Sequence, residues 1–252
     1  MQQVFKIPDC MKPDFRYTFC PGCDHGVAIR LVAELIDELG LKENTIISTS
    51  IGCSVFLYDF LNVDCVEAPH GRACASATGV KRAQPDKFVL TYQGDGDFAS
   101  IGLAESMHSA LRGEKFTAIC INNTTYGMTG GQLGPTTLMG QKTATSPMGR
   151  NQDYYGYPIK ISEQIALCDG TAFSARVALD SIPHVNQAKN TLKKAFEIQQ
   201  KGLGFGFVEI LCSCPTNWHM NPVEAHERVK NEMIPVFPLG IFKDVTAEVK
   251  ES

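Results

Sequence analysis

The sequence predicts an α/β fold, a mostly parallel sheet with helices on both faces. Short apolar or β-branched runs alternate with segments of helical period. Glycine-bearing loops follow the apolar runs, the rhythm of βαβ units. The runs are also nearly continuous in apolar residues, as strands covered on both faces require.

Taken in order, residues 24–39 read as a helix. Val27, Leu31, Val32, Leu35, Ile36 and Leu39 recur at helical spacing and Gly40 stops it. Thr45–Thr49 is a short strand ending in the turn Ile51-Gly-Cys-Ser54. A second strand, Val63–Ala68, leads into Pro69-His-Gly-Arg72. The small residues of Ala73–Ala83 suit a closely packed helix. Lys87–Tyr92 is a buried strand emptying into Gly94-Asp-Gly96, and a helix over 97–112 and a strand over Phe116–Ile121 follow. Residues 123–160 are rich in Gly, Thr, Pro, Gln and Met without a period, and a loop of that length in a compact domain is usually functional. Regular structure resumes as strand 171–179, helix 184–201 and strand 205–211. The tail from 215 is irregular, with a helix near 222–233.

The 252 residues suit one large α/β domain over 1–252. Hydrophobic residues make up 44% and charged residues 20%, a globular composition rather than a disordered one. A net charge of −4 argues against nucleic acid or an anionic membrane as partner. No run of 18 apolar residues exists to span a membrane, and Met1–Tyr17 has no apolar stretch of signal-peptide kind. The expected location is the cytoplasm.

Active sites of parallel sheets lie at the carboxyl ends of their strands. Asp95 and Asn122-Asn123 fall at two adjacent ends, so Asp95 and Asn123 should share one crevice. A carboxylate, an amide oxygen and a backbone carbonyl are hard ligands suited to magnesium, which takes few groups from protein and the rest from phosphates. The glycines of Gly94-Asp-Gly96 let the backbone approach a diphosphate, and the start of helix 97–112 adds amide donors. Gly-Asp-Gly alone is more often a plain turn; the paired Asn after the next strand is what changes that reading.

Ten cysteines stand in the chain, and clustered cysteines in a cytosolic protein point to metal or redox chemistry. Cys20-Pro-Gly-Cys23 is a chelating knuckle that needs two more thiolates to close a site. Cys53, Cys212 and Cys214 lie at strand ends on the same rim. A redox disulfide, a structural zinc and a [4Fe-4S] cluster all remain open, since spacing does not separate zinc from iron. Cys65, Cys74, Cys120 and Cys168 read as packing residues.

Gly-Asp-Gly, this gap and Asn-Asn resemble the thiamine diphosphate signature. The resemblance implies Asp95 and Asn123 as side-chain ligands of Mg2+, Thr125 as a carbonyl ligand, and Gly96, Asp97, Gly127 and Met128 against the diphosphate. More broadly, Phe19-Cys-Pro-Gly-Cys-Asp-His-Gly26, Ile51-Gly-Cys-Ser54, His70-Gly-Arg72, Tyr92-Gln-Gly-Asp-Gly96, Asn122-Asn123, Tyr126-Gly-Met-Thr-Gly-Gly-Gln132 and Cys214-Pro-Thr-Asn-Trp218 occur in order. From about residue 15 onward the chain resembles the beta subunits of 2-oxoacid:ferredoxin oxidoreductases, in the short branch acting on 2-oxoisovalerate or 2-oxoglutarate.

That resemblance implies oxidative decarboxylation of a 2-oxo acid with coenzyme A, giving acyl-CoA and carbon dioxide. Electrons would pass through a [4Fe-4S] cluster held by Cys20, Cys23, Cys53 and Cys214 to ferredoxin. It selects Cys214 over Cys212 because the motif ends Cys-Pro-Thr. It also places Ile51, Gly52, Cys53 and Ser54 on the cofactor and His70, as the catalytic candidate, beside the diphosphate. His25, His108, His184 and His226 carry no such implication and read as surface or helix residues. Rival readings are a non-redox thiamine diphosphate decarboxylase or synthase, which has no use for the cysteines, and a zinc-binding interaction subunit, which has none for Asp95 and Asn123.

The implied partner is an alpha subunit, with gamma and delta subunits as further ones. Thiamine diphosphate enzymes need a glutamate at the aminopyrimidine, and no motif here supplies it; the family places it on the alpha subunit, so this chain alone should be inactive. Loop 124–150 carries Tyr126, Met128, Leu133, Leu138, Met139 and Met148, which suggests a surface covered by that partner. The other reading of the loop is a lid on its own domain.

Overall fold

The computed structural model describes residues 6–248; of the domain expected over 1–252, residues 1–5 and 249–252 lie outside the described residues. Helix α1 (His25–Glu38) buries Ile29, Leu31, Val32, Leu35 and Ile36 along one face. Val27, at helical spacing with them, instead turns outward. Gly40 closes the helix at φ 64°, a left-handed conformation that favours glycine. Strand β1 (Thr45–Thr49) is followed by α2 (Leu57–Phe60), a short helix the sequence pattern does not show, and then by β2 (Asp64–Glu67) and α3 (Ala73–Ala83). Strand β3 (Phe88–Gly94) runs two residues past its expected end. The expected helix over 97–112 is a π-turn, Asp97–Ile101, continued by α4 (Leu103–Leu111). Such π-turns often mark functional sites.

Strand β4 (Thr117–Asn122) leads into a small antiparallel hairpin, β5 (Thr125–Tyr126) and β6 (Gln132–Leu133). Helices α5 (Gln152–Tyr155) and α6 (Ile161–Ala166) precede β7 (Thr171–Ala178), α7 (Ile182–Gln200) and β8 (Phe205–Leu211). The tail is more regular than expected: α8 (Pro215–Trp218), α9 (Pro222–Arg228) and an edge strand, β9 (Gly240–Asp244).

Seven strands form one sheet in the order β2-β1-β3-β4-β8-β7-β9. Every pair in it is parallel except β7 with β9. Alternate residues of the central strands serve opposite faces. Leu90, Ile119, Ile121 and Val208 pack with α1 and α7 through Ile29, Leu35, Leu192 and Phe196. Val89, Ala118, Cys120 and Phe207 pack on the other side with Phe98, Phe116, Ile161 and Ile165. Cys74, Cys120 and Cys168 are buried in that second layer, while Cys65 is only half-buried at the edge.

One buried side chain ties the long segment after β4 together. Arg150, 6% exposed, donates to the carbonyls of Gly134, Pro135, Thr137, Tyr155, Gly156 and Tyr157 at 2.8–3.2 Å. A buried guanidinium satisfied wholly by carbonyls can fix a loop that has no period of its own. Leu138 is thereby buried against Trp218 and Phe237, whereas Met128, Met139 and Met148 stay exposed. The loop is folded on its own chain and still presents an apolar surface.

Candidate functional site

From β1 the chain turns to β2 on one side and returns to β3 on the other. A crevice opens at the carboxyl ends of strands at such a reversal. There lies a cleft whose empty space, open solvent included, is about 520 Å³. Ile51, Gly52, Cys53 and Ser54 reach it from β1, and His70 from the loop after β2. Asp95, Gly96 and Asp97 follow β3; Asn123, Thr125, Gly127 and Met128 follow β4. Twelve predicted residues from four loops therefore line one cleft. Cys20, Cys23 and Cys214 stand beside it rather than in its lining.

The β3–β4 register pairs Gly94 with Ile121 and so sets Asp95 beside Asn122-Asn123. Asp95 is buried, and burial pushes its carboxyl up to about 7 against the pull of the Thr136 hydroxyl and the Gly96 amide. Asn122 Oδ1 accepts the Thr124 amide at 3.0 Å, and Asn123 Oδ1 accepts the Thr125 amide at 3.2 Å. These bonds support a turn in which Thr124 adopts φ 60°, a costly conformation for a β-branched residue. Behind the turn, Asn122 Nδ2 donates to Glu209 at 2.7 Å. Glu209 is fully buried and paired with the equally buried Arg176 at 2.8 Å. Gly96 lies so close under the Tyr126 ring that a side chain there would collide with it.

Asp97 lines the cleft, but its carboxylate is saturated. It accepts from Ser50 Oγ at 2.9 Å, the Gly71 amide at 2.6 Å, Gln93 Nε2 at 2.5 Å and His70 Nδ1. Its carboxylate therefore organises the neighbouring turns, and any contact it makes with a ligand is through backbone. With His70 Nδ1 held by Asp97, Nε2 is the ring nitrogen left for the cleft.

The cysteine segment is joined to the end of β8 by Ser213. Its amide donates to Asp24 at 2.7 Å and its hydroxyl to the Gly22 carbonyl at 2.8 Å. Cys20-Pro-Gly-Cys23 closes as a turn, Cys23 N to Cys20 O at 3.0 Å, with Gly22 at φ 77° against Pro222. Burial pushes the Cys23 thiol up to about 12, with Cys214 and Cys53 adding to the rise. It pushes Cys53 up to about 11, with Cys214 and Cys20 adding. Cys53 and Cys214 thus lie close enough to the Cys20–Cys23 turn to feel its thiols. Cys212 is buried deeper, and burial raises its thiol far above the ordinary range. Among the described residues no three His, Cys, Asp or Glu side chains are grouped closely enough to hold a single metal ion.

His25, read from sequence as a surface or helix residue, does open helix α1, but it is buried there and lines the cleft. It stacks on Phe19 at 4.9 Å and its Nδ1 meets the Tyr92 hydroxyl at 2.9 Å; burial lowers it to about 4, so it is neutral. Its place beside Cys23 at a helix start was the one available signal. Thr136, Asn217, Ser50 and Gln93 were also missed, because their contacts are made across the fold.

Residues 50–210 match the family model described as thiamine pyrophosphate enzyme, C-terminal TPP binding domain. Subunit KorB of the 2-oxoglutarate synthase of Methanocaldococcus jannaschii is 39% identical over 79% of this chain and 70% of its own. This chain belongs to the thiamine pyrophosphate enzymes, in the family of 2-oxoacid:ferredoxin oxidoreductase beta subunits. Another family member, ketoisovalerate oxidoreductase subunit VorA of Methanothermobacter thermautotrophicus, is 44% identical over 92% of this chain and 49% of its own. The chain thus spans about half the length of that relative. The beta-subunit fold is shared with a solved 2-oxoglutarate:ferredoxin oxidoreductase from Magnetococcus marinus with 2-oxoglutarate, coenzyme A and succinyl-CoA bound: TM-score 0.74, 24% identity, covering 99% of this chain and 91% of that one.

Proposed function

We propose that this chain holds the diphosphate half of a Mg2+–thiamine diphosphate site and one [4Fe-4S] cluster. It would act in the oxidative decarboxylation of a 2-oxo acid with coenzyme A. The observation that carries the reading is the meeting of Asp95, Asn123 and Thr125 in one cleft with four cysteines on its rim.

The residues fit the groups. Asp95 is a buried carboxylate without a cationic partner, which a divalent ion would compensate. The Ser54 hydroxyl is buried at the cleft with no partner, suited to a phosphate oxygen. Asp95, Asn123 and the Thr125 carbonyl would hold the magnesium; Gly96, Gly127, Met128 and the backbone of Asp97 would face the diphosphate. Cys20, Cys23, Cys53 and Cys214 would hold the cluster. Cys23 takes an N–H from the His25 backbone, and Cys214 takes N–H groups from Asn217. Such donors are the means by which proteins stabilise cluster thiolates.

When bound, thiamine diphosphate stabilises the carbanion left by decarboxylation, and the cluster accepts its electrons singly. The chain's own residues supply orientation. Asp97 pairs with His70 Nδ1 and so leaves Nε2 for the cleft. The turn at Thr124 fixes Asn123, and Tyr126 donates to the Gly96 carbonyl at 3.3 Å to keep the two loops together. Ile51 and Met128 give the mouth an apolar edge that limits water.

The reading extends to an alpha subunit completing the site, gamma and delta subunits, ferredoxin as electron acceptor, and a cytoplasmic location; no helix among the described residues is long and apolar enough to cross a membrane. The substrate is 2-oxoisovalerate or 2-oxoglutarate. The apolar rim, with a 44% identical relative named for ketoisovalerate, favours the former. The test is metal and cofactor analysis of the chain purified with its partner, then turnover on a panel of 2-oxo acids with coenzyme A. Iron, sulfide and magnesium with fastest turnover of 2-oxoisovalerate support the reading. Zinc without iron, or thiamine diphosphate without iron, refutes it in favour of an interaction subunit or a non-redox enzyme.

A further inference from the structure

We propose that Asn217 is a positioning residue that links the cluster to the cofactor loop and tunes the cluster's potential. Its side-chain nitrogen donates to Cys214 Sγ at 3.2 Å and to the Gly127 carbonyl at 2.9 Å. A primary amide has two protons on that nitrogen, one for each acceptor. The inference rests on the proposed ligation of the cluster by Cys214 and extends it to a residue with no place in the ligand set.

The surroundings show that the position is built for this side chain. Gly131 lies over Asn217 so closely that an added Cβ would stand 3.1 Å from its Oδ1 and 3.3 Å from its Cβ. Gly131 also adopts φ 83°, so both space and conformation select glycine there. A Cβ at Gly127 would stand 3.5 Å from Asn217 Nδ2, 3.7 Å from Cys214 Sγ and 3.4 Å from Asn123 Nδ2. The Gly127–Gly131 turn, closed by Gly131 N to Tyr126 O at 2.9 Å, is thus laid directly on the amide. A short chain of contacts runs from Asn123, a proposed magnesium ligand, through Gly127 and Asn217 to Cys214.

Two consequences follow from one side chain. An N–H donated to a cluster sulfur favours the reduced, more negative state, so it raises the reduction potential. The same amide anchors the Gly127 carbonyl, and with it the backbone facing the diphosphate. Changes at 217 should therefore register at both groups, although the residue touches the cluster only through Cys214.

The test uses the complete complex carrying Asn217→Ala or Asn217→Asp. Iron and acid-labile sulfide are counted, the potential is read by an electron-paramagnetic-resonance redox titration, and thiamine diphosphate affinity is measured by calorimetry. Expected are full iron content, a potential shifted negative in both variants and further in Asn217→Asp, and cofactor affinity lowered several-fold in both. Full iron with an unchanged potential would overturn the proposal. So would loss of iron from both variants, which would make Asn217 a requirement for holding the cluster rather than a tuner. If only Asn217→Ala loses iron, the potential of Asn217→Asp decides. Absence of iron from the unsubstituted complex would instead refute the ligation by Cys214, and this proposal with it.

Discussion

On the proposed reading, Asp95 is costly to the empty fold and necessary to the loaded one. Its carboxyl is buried without a cation, and that burial weakens its acidity. Asp95→Ala should therefore leave folding intact while lowering thiamine diphosphate affinity roughly 100-fold or more, on the scale of losing a metal contact. Calorimetry on the variant checks it, with circular dichroism as the control for fold; unchanged affinity would remove Asp95 from the metal site. The cysteines give a second residue-level test. Ser variants of Cys20, Cys23, Cys53 and Cys214 should each lose the cluster, while Cys212→Ser should keep it, because Cys212 is sealed beneath the rim. Iron retained in Cys214→Ser and lost in Cys212→Ser would mean the other member of the pair is the ligand. The meeting of Asp95 and Asn123 in one cleft and the turn at Cys20–Cys23 were legible because local spacing sets them. Asp97's saturated carboxylate and buried His25 were not, since Ser50, Gln93, Phe19 and Tyr92 reach them only in three dimensions.

At the scale of elements, strands that are apolar throughout and helices with a buried stripe announce themselves; β1, α3 and β8 begin and end where the sequence puts them. Elements held by tertiary contacts do not. Strand β9 exists because the edge of β7 is free to pair with it, and α8 is one turn fixed at Cys214. The segment after β4 is the sharpest case, because its order comes from Arg150 and not from a period. Arg150→Met keeps the length but removes six hydrogen bonds to carbonyls, of which those at Gly134 and Thr137 are buried. The expected cost is about 3 kcal/mol, since each bond to a charged donor contributes on the order of 1.5–3 kcal/mol but the loop relaxes. In a chain of this size that lowers the melting temperature by roughly 6–12 °C. Limited proteolysis should then cut first between residues 134 and 157. Cleavage elsewhere, with an unshifted melting curve, would show that the loop is held by other means.

On the proposed reading, the described residues together present half a reaction chamber. Its cleft opens at the carboxyl rim of the sheet, the thiols stand beside it, and Met128, Met139, Met148, Tyr154 and Tyr157 are exposed around the same loop. Exposed apolar side chains along one segment suggest a covered surface. The loop is folded on its own chain through Arg150 and Leu138, so it does not need a partner to be ordered. On the proposed reading, a partner that covers the rim would supply the glutamate at the aminopyrimidine. Purified alone, the chain should bind Mg2+–thiamine diphosphate weakly, self-associate, and fail to decarboxylate 2-oxo acids. With its alpha partner it should hold one cofactor and at least one cluster per pair. At 100 times the dissociation constant the cofactor should then stabilise the assembly by about 2.7 kcal/mol, visible as a raised melting temperature. The two states are separated by light scattering for mass, cofactor stoichiometry and turnover on the same preparations. A monomer that decarboxylates 2-oxo acids by itself would show that the site is complete within this chain, and the apolar rim would then need another explanation.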